Sequence, residues 1–282
     1  MCLLVLAIGA CARWPLVIAA NRDEHRQRPT LPLATWTTDD GATLMSGPGG
    51  QRAGGTWLGS TPDGRVALLT NVREAEPSTG RLSRGDLPLH WLTGRMDAAA
   101  FLAQHDPRAY GGCNLVIGDF QRRQWAWASN RESAISSGNH PPQIRSTSNW
   151  QTSLLVPGVY GLSNALLDTP WPKTQALKAA MQTALASAQS SGEEVDLSLP
   201  LWAALAKREK APLDELPKTG VSAELEHALS SAHVDIPERD YGTRCSTLMW
   251  IDSIAGPDSF KATLWEKTMG GDATRLQWAL NA

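Results

Sequence analysis

An excess of charge of either sign is missing from this sequence. Its 282 residues carry 26 lysines and arginines against 28 aspartates and glutamates, a formal net charge of -2. The basic stripe that a nucleic-acid partner requires is therefore absent. Long apolar runs are missing too. Leu3 to Ala10 is too short to cross a bilayer and lacks the basic flank and small-residue cleavage site of a secretory signal. Cysteine is sparse: Cys2, Cys11, Cys113 and Cys245 stand far apart, with no C-x-x-C pair and no C-x-x-C-H haem attachment motif. The six histidines, His25, His90, His105, His140, His227 and His233, add no metal-ligand spacing. These absences point to a cytoplasmic protein with reduced thiols, no metal and no transmembrane segment. No repeat, low-complexity tail or composition break divides the chain, so residues 1–282 are expected to form one unit. Phenylalanine and tyrosine are scarce at three each against 12 tryptophans, a balance that suits core and cleft packing or an apolar ligand pocket.

What is present is mostly strand. Over the first 160 residues, "CLLVLAIGA", "PLVIAANRD", "GTWLGS", "RVALLTNV", "CNLVIGD" and "QWAWASN" are short, apolar or alternating, and separated by Gly, Pro and Asp turns. "STPDGRV" predicts an antiparallel hairpin, because Gly64 accepts positive φ without steric cost. Between these lie the helical stretches "SRGDLPLHWLTG" and "MDAAAFLAQH". From Pro172 the character changes: "KTQALKAAMQTALASAQS" predicts one long amphipathic helix, which "SSGEEVDLS" ends. "LPLWAALAKRE" and "SAELEHALSSAH" predict two more, and "TRCSTLMWID", "SFKATLWEKT" and "TRLQWALN" return the chain to strand. Strands, then helices, then strands, with more strand than one sheet holds, predict an α+β fold of two packed antiparallel sheets covered by helices. The N-terminal strand is expected in the middle.

Two features carry chemistry. Cys2 follows the initiator directly, and removal of Met1 would leave a residue whose own α-amine is a general base for its thiol. The alternative is a strand that begins with a buried, inert cysteine. The second feature is "NRDE", Asn21 to Glu24, at the end of the second strand. If that strand pairs with the first, Asn21 to Asp23 return beside residues 2 to 4, where Arg22 would lower the thiol pKa and Asp23 would orient the α-amine. Otherwise these charges are a solvated strand end.

"MC", "NRDE", "GGTWLG", "LLTNVRE", "SRGDL", "GCNLVIGD", "YGLSNALLDTPWPK" and "YGTRCST" occur in this order along nearly the whole chain. In them the chain resembles the NRDE family, the transport and Golgi organisation protein-like branch of the N-terminal nucleophile hydrolases. The resemblance implies the four-layer αββα sandwich of that superfamily. By similarity to its cholylglycine hydrolases and penicillin V acylases, Cys2 is nucleophile and base, and Arg22 and Asp23 are its electrostatic supports. Asn71 and Asn164 resemble the two asparagines set near the oxyanion, and Arg244 the late arginine. Asn21, Trp57 and Arg73 are candidate substrate contacts. The order Asn-Arg-Asp departs from the relatives' pattern, in which Asp follows Arg at a distance. Asn71 and Asn164 also suit turn formation, Arg244 suits an ion pair with Asp23 or Glu24, and "GGTWLG" suits a sharp bend that packs Trp57.

Two functions follow from the resemblance. One is hydrolysis of an amide or thioester acyl bond, with no cofactor required. The other is non-catalytic binding of haem, acyl-CoA or lipid in traffic or homeostasis, with the same cleft holding a small-molecule ligand.

Overall fold

Two seven-stranded antiparallel sheets form the centre of the molecule. The computed structural model describes residues 2–48, 55–133, 144–190, 196–254 and 259–281. The first sheet is ordered β10-β1-β2-β12-β13-β14, with the two-residue β11 (Asp235–Ile236) on β12. Its strands are β1 (Cys2–Ile8), β2 (Leu16–His25), β10 (Gly158–Leu162), β12 (Tyr241–Ser253), β13 (Ser259–Thr268) and β14 (Ala273–Asn281). The second runs β3 (Ala34–Thr37), β4 (Thr43–Pro48), β5 (Thr56–Ser60), β6 (Arg65–Asn71), β7 (Cys113–Asp119), β8 (Gln124–Ser133) and β9 (Ile144–Leu154) in sequence order.

Every residue of β1 is buried, because alternate side chains meet different layers. Leu4, Leu6 and Ile8 face the second sheet and join Ile18, Leu68 and Val116 in the core between the sheets. Leu3, Val5 and Ala7 face outward beneath α3 (Pro172–Ser190) and α4 (Ser198–Leu205), whose Leu177, Met181 and Leu201 cover them. The outer face of the second sheet is covered in the same way by α1 (Asp86–Thr93) and α2 (Ala98–Ala103), through Leu87, Trp91 and Phe101. Helix, sheet, sheet, helix is the αββα order that the sequence predicts. Each Leu or Ile taken fully out of water in these layers stabilises the fold by roughly 1.5–3 kcal/mol.

The predicted hairpin is present: Leu58 pairs with Leu68 across the turn, and Gly64 adopts φ +85°. The N-terminal strand differs from expectation. It lies second from an edge, beside β10, and β2 and β12 hold the middle. The helix over "SAELEHALSSAH" is shorter than expected, ending as α5 (Ala223–Ala228). The stretch expected to end α3 lies largely outside the described residues. No described helix is long and apolar enough to cross a membrane.

Candidate functional site

The β1–β2 turn brings the "NRDE" residues back to the start of the chain. Cys2 is the direct antiparallel partner of Arg22, and Leu3 of Asn21. On the other side β12 pairs Cys245 with Arg22 and Thr243 with Asp23. Cross-strand partners share a face, so Cys2 and Arg22 point between the sheets, with Leu4 and Ile18. There, at the sandwich end, lies a cleft of about 340 Å³. Cys2, Arg22, Asp23, Glu24 and Arg28 line it from the first sheet and the turn beyond β2, and Trp57, Leu69 and Asn71 from the second. Trp57 is the one tryptophan among these described lining residues.

The cleft is charged and its thiol is held neutral. Burial pushes the Cys2 thiol above its ordinary range, and nearby Asp23 and Glu24 add to this, outweighing the pull of Arg22 and the terminal positive charge. This reverses the expected lowering, since desolvation of a buried thiolate exceeds the attraction of one guanidinium already engaged elsewhere. Arg22 donates to Thr30 Oγ1 at 3.2 Å and meets Glu24 at 3.5 Å, while Arg28 meets the same Glu24 oxygen at 2.8 Å. Burial alone would raise the Glu24 pKa, but the terminal charge, the His25 N–H and the two arginines hold it below the ordinary value.

Four expected site residues face elsewhere. Asn21 shares the face of Leu3 and donates to the carbonyls of Leu205 and Ala232 at 2.9 and 2.8 Å, tying the helical layer to the sheet. Asn164 is fully buried and donates to the Asn71 carbonyl at 2.8 Å. Arg73 forms a buried ion pair with Glu226 of α5 and lies over the Trp171 ring at 4.6 Å. Arg244 occupies the irregularity in register between Thr243 and Cys245, and its guanidinium donates to the carbonyls of His25, Arg26 and Arg28. It shapes the chain beyond β2 instead of entering the cleft. The polar group beside Asp23 includes Thr243, whose hydroxyl donates to Asp23 at 2.7 Å, and the buried Lys173 of α3. Burial pulls the Lys173 pKa down to about 8, and the charge of Asp23 opposes that effect.

The remaining wall comes from residues not expected at the site, some of them inside the motifs. Segment 77–85 supplies Pro77, Thr79 and Arg84, and Arg131 holds its start by a two-pronged ion pair to Glu74 and a 2.9 Å bond to Ser78. Glycines make this wall thin. A Cβ on Gly55 would come within 2.7 Å of the Gly85 backbone, and one on Gly80 within 2.4 Å of Gly111 N. The glycines of "GGTWLG" and "SRGDL" thus mark two backbones in contact, a signal readable only as a pair. Gly54 itself and Met1 lie outside the described residues. Among the described residues no cluster of His, Cys, Asp and Glu could hold a metal ion, and all four cysteines are free and buried.

This architecture can be set beside known proteins. A solved structure, the C2A mutant of conjugated bile acid hydrolase from Clostridium perfringens, is similar over 99% of this chain and 97% of its own, with a TM-score of 0.43 and 7% identity. The Transport and Golgi organization protein 2 homolog of Bos taurus is 30% identical over 277 residues, 93% of this chain and 90% of its own. The Homo sapiens homolog is 28% identical over 269 residues, covering 92% and 90%. The Drosophila melanogaster protein is 27% identical over 278 residues, covering 94% and 90%. The model of the Transport and Golgi organisation 2 family matches residues 1–270, and the chain belongs to that family.

Proposed function

We propose that the Cys2 cleft is an acyl-transfer site of the N-terminal nucleophile type, acting on an amide or thioester. The observation that carries this reading is the placement of Cys2 on the cleft floor with Arg22 directly across the ladder and Asn71 in the facing wall. In this reading Met1 is removed and the exposed α-amine takes the thiol proton. The sulfur attacks the carbonyl carbon, and the Asn71 side chain donates to the oxygen as negative charge develops there. The carbon–nitrogen or carbon–sulfur bond then breaks, and the proton leaves with the amine or thiol. Water hydrolyses the acyl-cysteine, returning a proton to the amine. The reading takes residues 1–282 as one unit working in a cytoplasm, where thiols stay reduced.

A second reading is supported by the arginines Arg22, Arg28 and Arg84 in the lining and by the protonated thiol: the cleft holds an anionic acyl ligand, such as an acyl-CoA, without cleaving it. Haem fits these residues poorly. Among the described lining residues Cys2 is the one side chain of a type that holds haem iron, and burial favours its thiol over the thiolate that iron takes.

The test is a panel of short amides and thioesters with intact-mass analysis of the protein. Mature chain starting at Cys2, acyl-enzyme mass, and turnover abolished in Cys2→Ala support the hydrolase. Retained Met1 and acyl-CoA binding that survives in Cys2→Ala without turnover support the binding protein. A haem Soret band lost in Cys2→Ala would overturn both.

A further inference from the structure

A second cavity, of about 420 Å³, lies between the sheets at the end opposite the cleft. Cys2 starts β1 and Ile8, at its other end, lines this cavity, so the two are separated by a strand roughly 20 Å long. The cavity is closed by turns: Gly9 and Pro15 of β1–β2, Phe120 and Arg123 of β7–β8, and Pro157 ahead of β10. Apart from Gln121 and Arg123 its walls are apolar. Phe120 meets Phe260 of β13 edge to face, with centroids 4.9 Å apart, joining the two sheets across the opening. Trp125 and Leu155 complete the interior. A dry cavity of about 150 Å³ is enough to hold benzene, so this one, nearly three times that volume, takes a larger ligand and falls within the usual range for small-molecule sites.

The mouth has a distinct chemistry. Leu154, Val156 and Ile254, neighbours in sequence or register of lining residues Leu155 and Phe260, are 79%, 66% and 47% exposed. Ile254 is fastened next to Phe260 by its N–H bond to the Ser259 carbonyl at 3.0 Å. Among the described residues no carboxylate lines the cavity. Arg123 is its cation, with φ +54°, a left-handed backbone that a non-glycine residue adopts at a cost. Its neighbour Arg122 is matched by Asp119 at 3.6 Å, whereas Arg123 makes no ion pair among the described residues. A partly open, mostly apolar cavity with a guanidinium at its edge that makes no ion pair among the described residues is complementary to an anionic head on an apolar tail.

We infer that this cavity binds a small aliphatic carboxylate, its tail between the sheets and its head on Arg123. The inference is independent of any chemistry at Cys2. The test is calorimetric titration with hexanoate, octanoate and decanoate, below their micellar concentrations, and with the matching alkylamines. Affinity is expected to rise about fourfold for each added methylene, which is the fold-change for roughly 0.8 kcal/mol per buried CH₂. The amines should bind more weakly, and Arg123→Glu, a surface change that leaves the core untouched, should reverse that preference. Protein alkylated at Cys2 should bind as before. Affinity that ignores chain length, equal binding of acids and amines, loss of binding on Cys2 alkylation, or association only with phosphatidylcholine vesicles would each overturn the inference.

Discussion

Asn164 and the Asn71 strand end hold one another in a two-way clasp. The Asn164 Nδ2 donates to the Asn71 carbonyl at 2.8 Å, and the Arg73 N–H donates to the Asn164 carbonyl at 2.7 Å. This joins the end of β10 in one sheet to the end of β6 in the other and sets the position of Asn71 in the cleft wall. Asn164→Leu is expected to lose about 1–3 kcal/mol, the cost of a buried group left unbonded. Asn164→Asp should lose a similar amount, since a carboxylate cannot donate. Urea unfolding checks both. Unchanged midpoints together with lost turnover would instead return Asn164 to the role of oxyanion donor.

The Arg73–Glu226 pair predicts a larger effect. Both side chains are nearly inaccessible, at 4% and 3%, and the free face of Glu226 accepts from the Thr219 N–H at 2.9 Å and its hydroxyl at 2.5 Å. Glu226→Leu removes the carboxylate partner of a buried guanidinium and is expected to cost about 3–5 kcal/mol. Arg73→Met combined with Glu226→Leu should recover much of that loss. A single variant with wild-type thermal stability would contradict the account.

These pairs show where the sequence was readable and where it was not. The strands of the core stand out because β1, β2, β6 and β7 are apolar runs between turn residues. β9, which includes "SNWQTSL", is polar and lies at the edge of its sheet, so no apolar alternation announces it. The β3–β4 hairpin is marked in the sequence only by its Asp40–Gly41 turn, where Gly41 adopts φ +87°. In the site, the short turn before β2 correctly foretold that Arg22 returns beside Cys2. Which neighbours share that face was hidden, because β1 is buried on both sides and Leu3 and Leu4 look alike in sequence. The sequence therefore places Asn21 in the cleft, whereas in the fold it faces the helices. Arg244 was misplaced for a different reason: a register irregularity turns it aside, and nothing in "YGTRCST" marks one.

The Cys2 thiol is expected to alkylate slowly at neutral pH, with a midpoint above that of a free thiol, because burial disfavours the thiolate. Arg22→Ala removes a charge that lowers the pKa and should move the midpoint further up. Mature protein lacking Met1 carries the ammonium on Cys2 itself and should react faster than chain that retains it. Iodoacetamide kinetics against pH, followed by intact mass, checks the order. A midpoint below the free-thiol range would mean that the cleft activates Cys2 more strongly than its burial opposes.

Lys173 contributes a rising limb to the pH dependence of folding. It is the second residue of α3, 5% exposed, and its Nζ donates to the Leu229 carbonyl at 2.9 Å. Burial pulls its pKa from 10.5 to about 8 in the folded state. Between those values the unfolded chain holds a proton that the folded chain has lost, so stability must rise with pH, by an amount on the order of 3 kcal/mol over the whole window. The buried thiols oppose this at higher pH. Cys113 is pushed up from 9.0 to about 12, so above pH 9 the folded state retains a proton that the unfolded state releases, and stability falls. The predicted wild-type profile climbs from about pH 8 and turns over near pH 9. Lys173→Met removes the climbing limb and leaves the descending one. Urea unfolding of both proteins from pH 7 to 10 isolates the lysine as the difference between the two curves, and a difference that is flat or falls with pH would show that Lys173 is charged in the folded protein throughout.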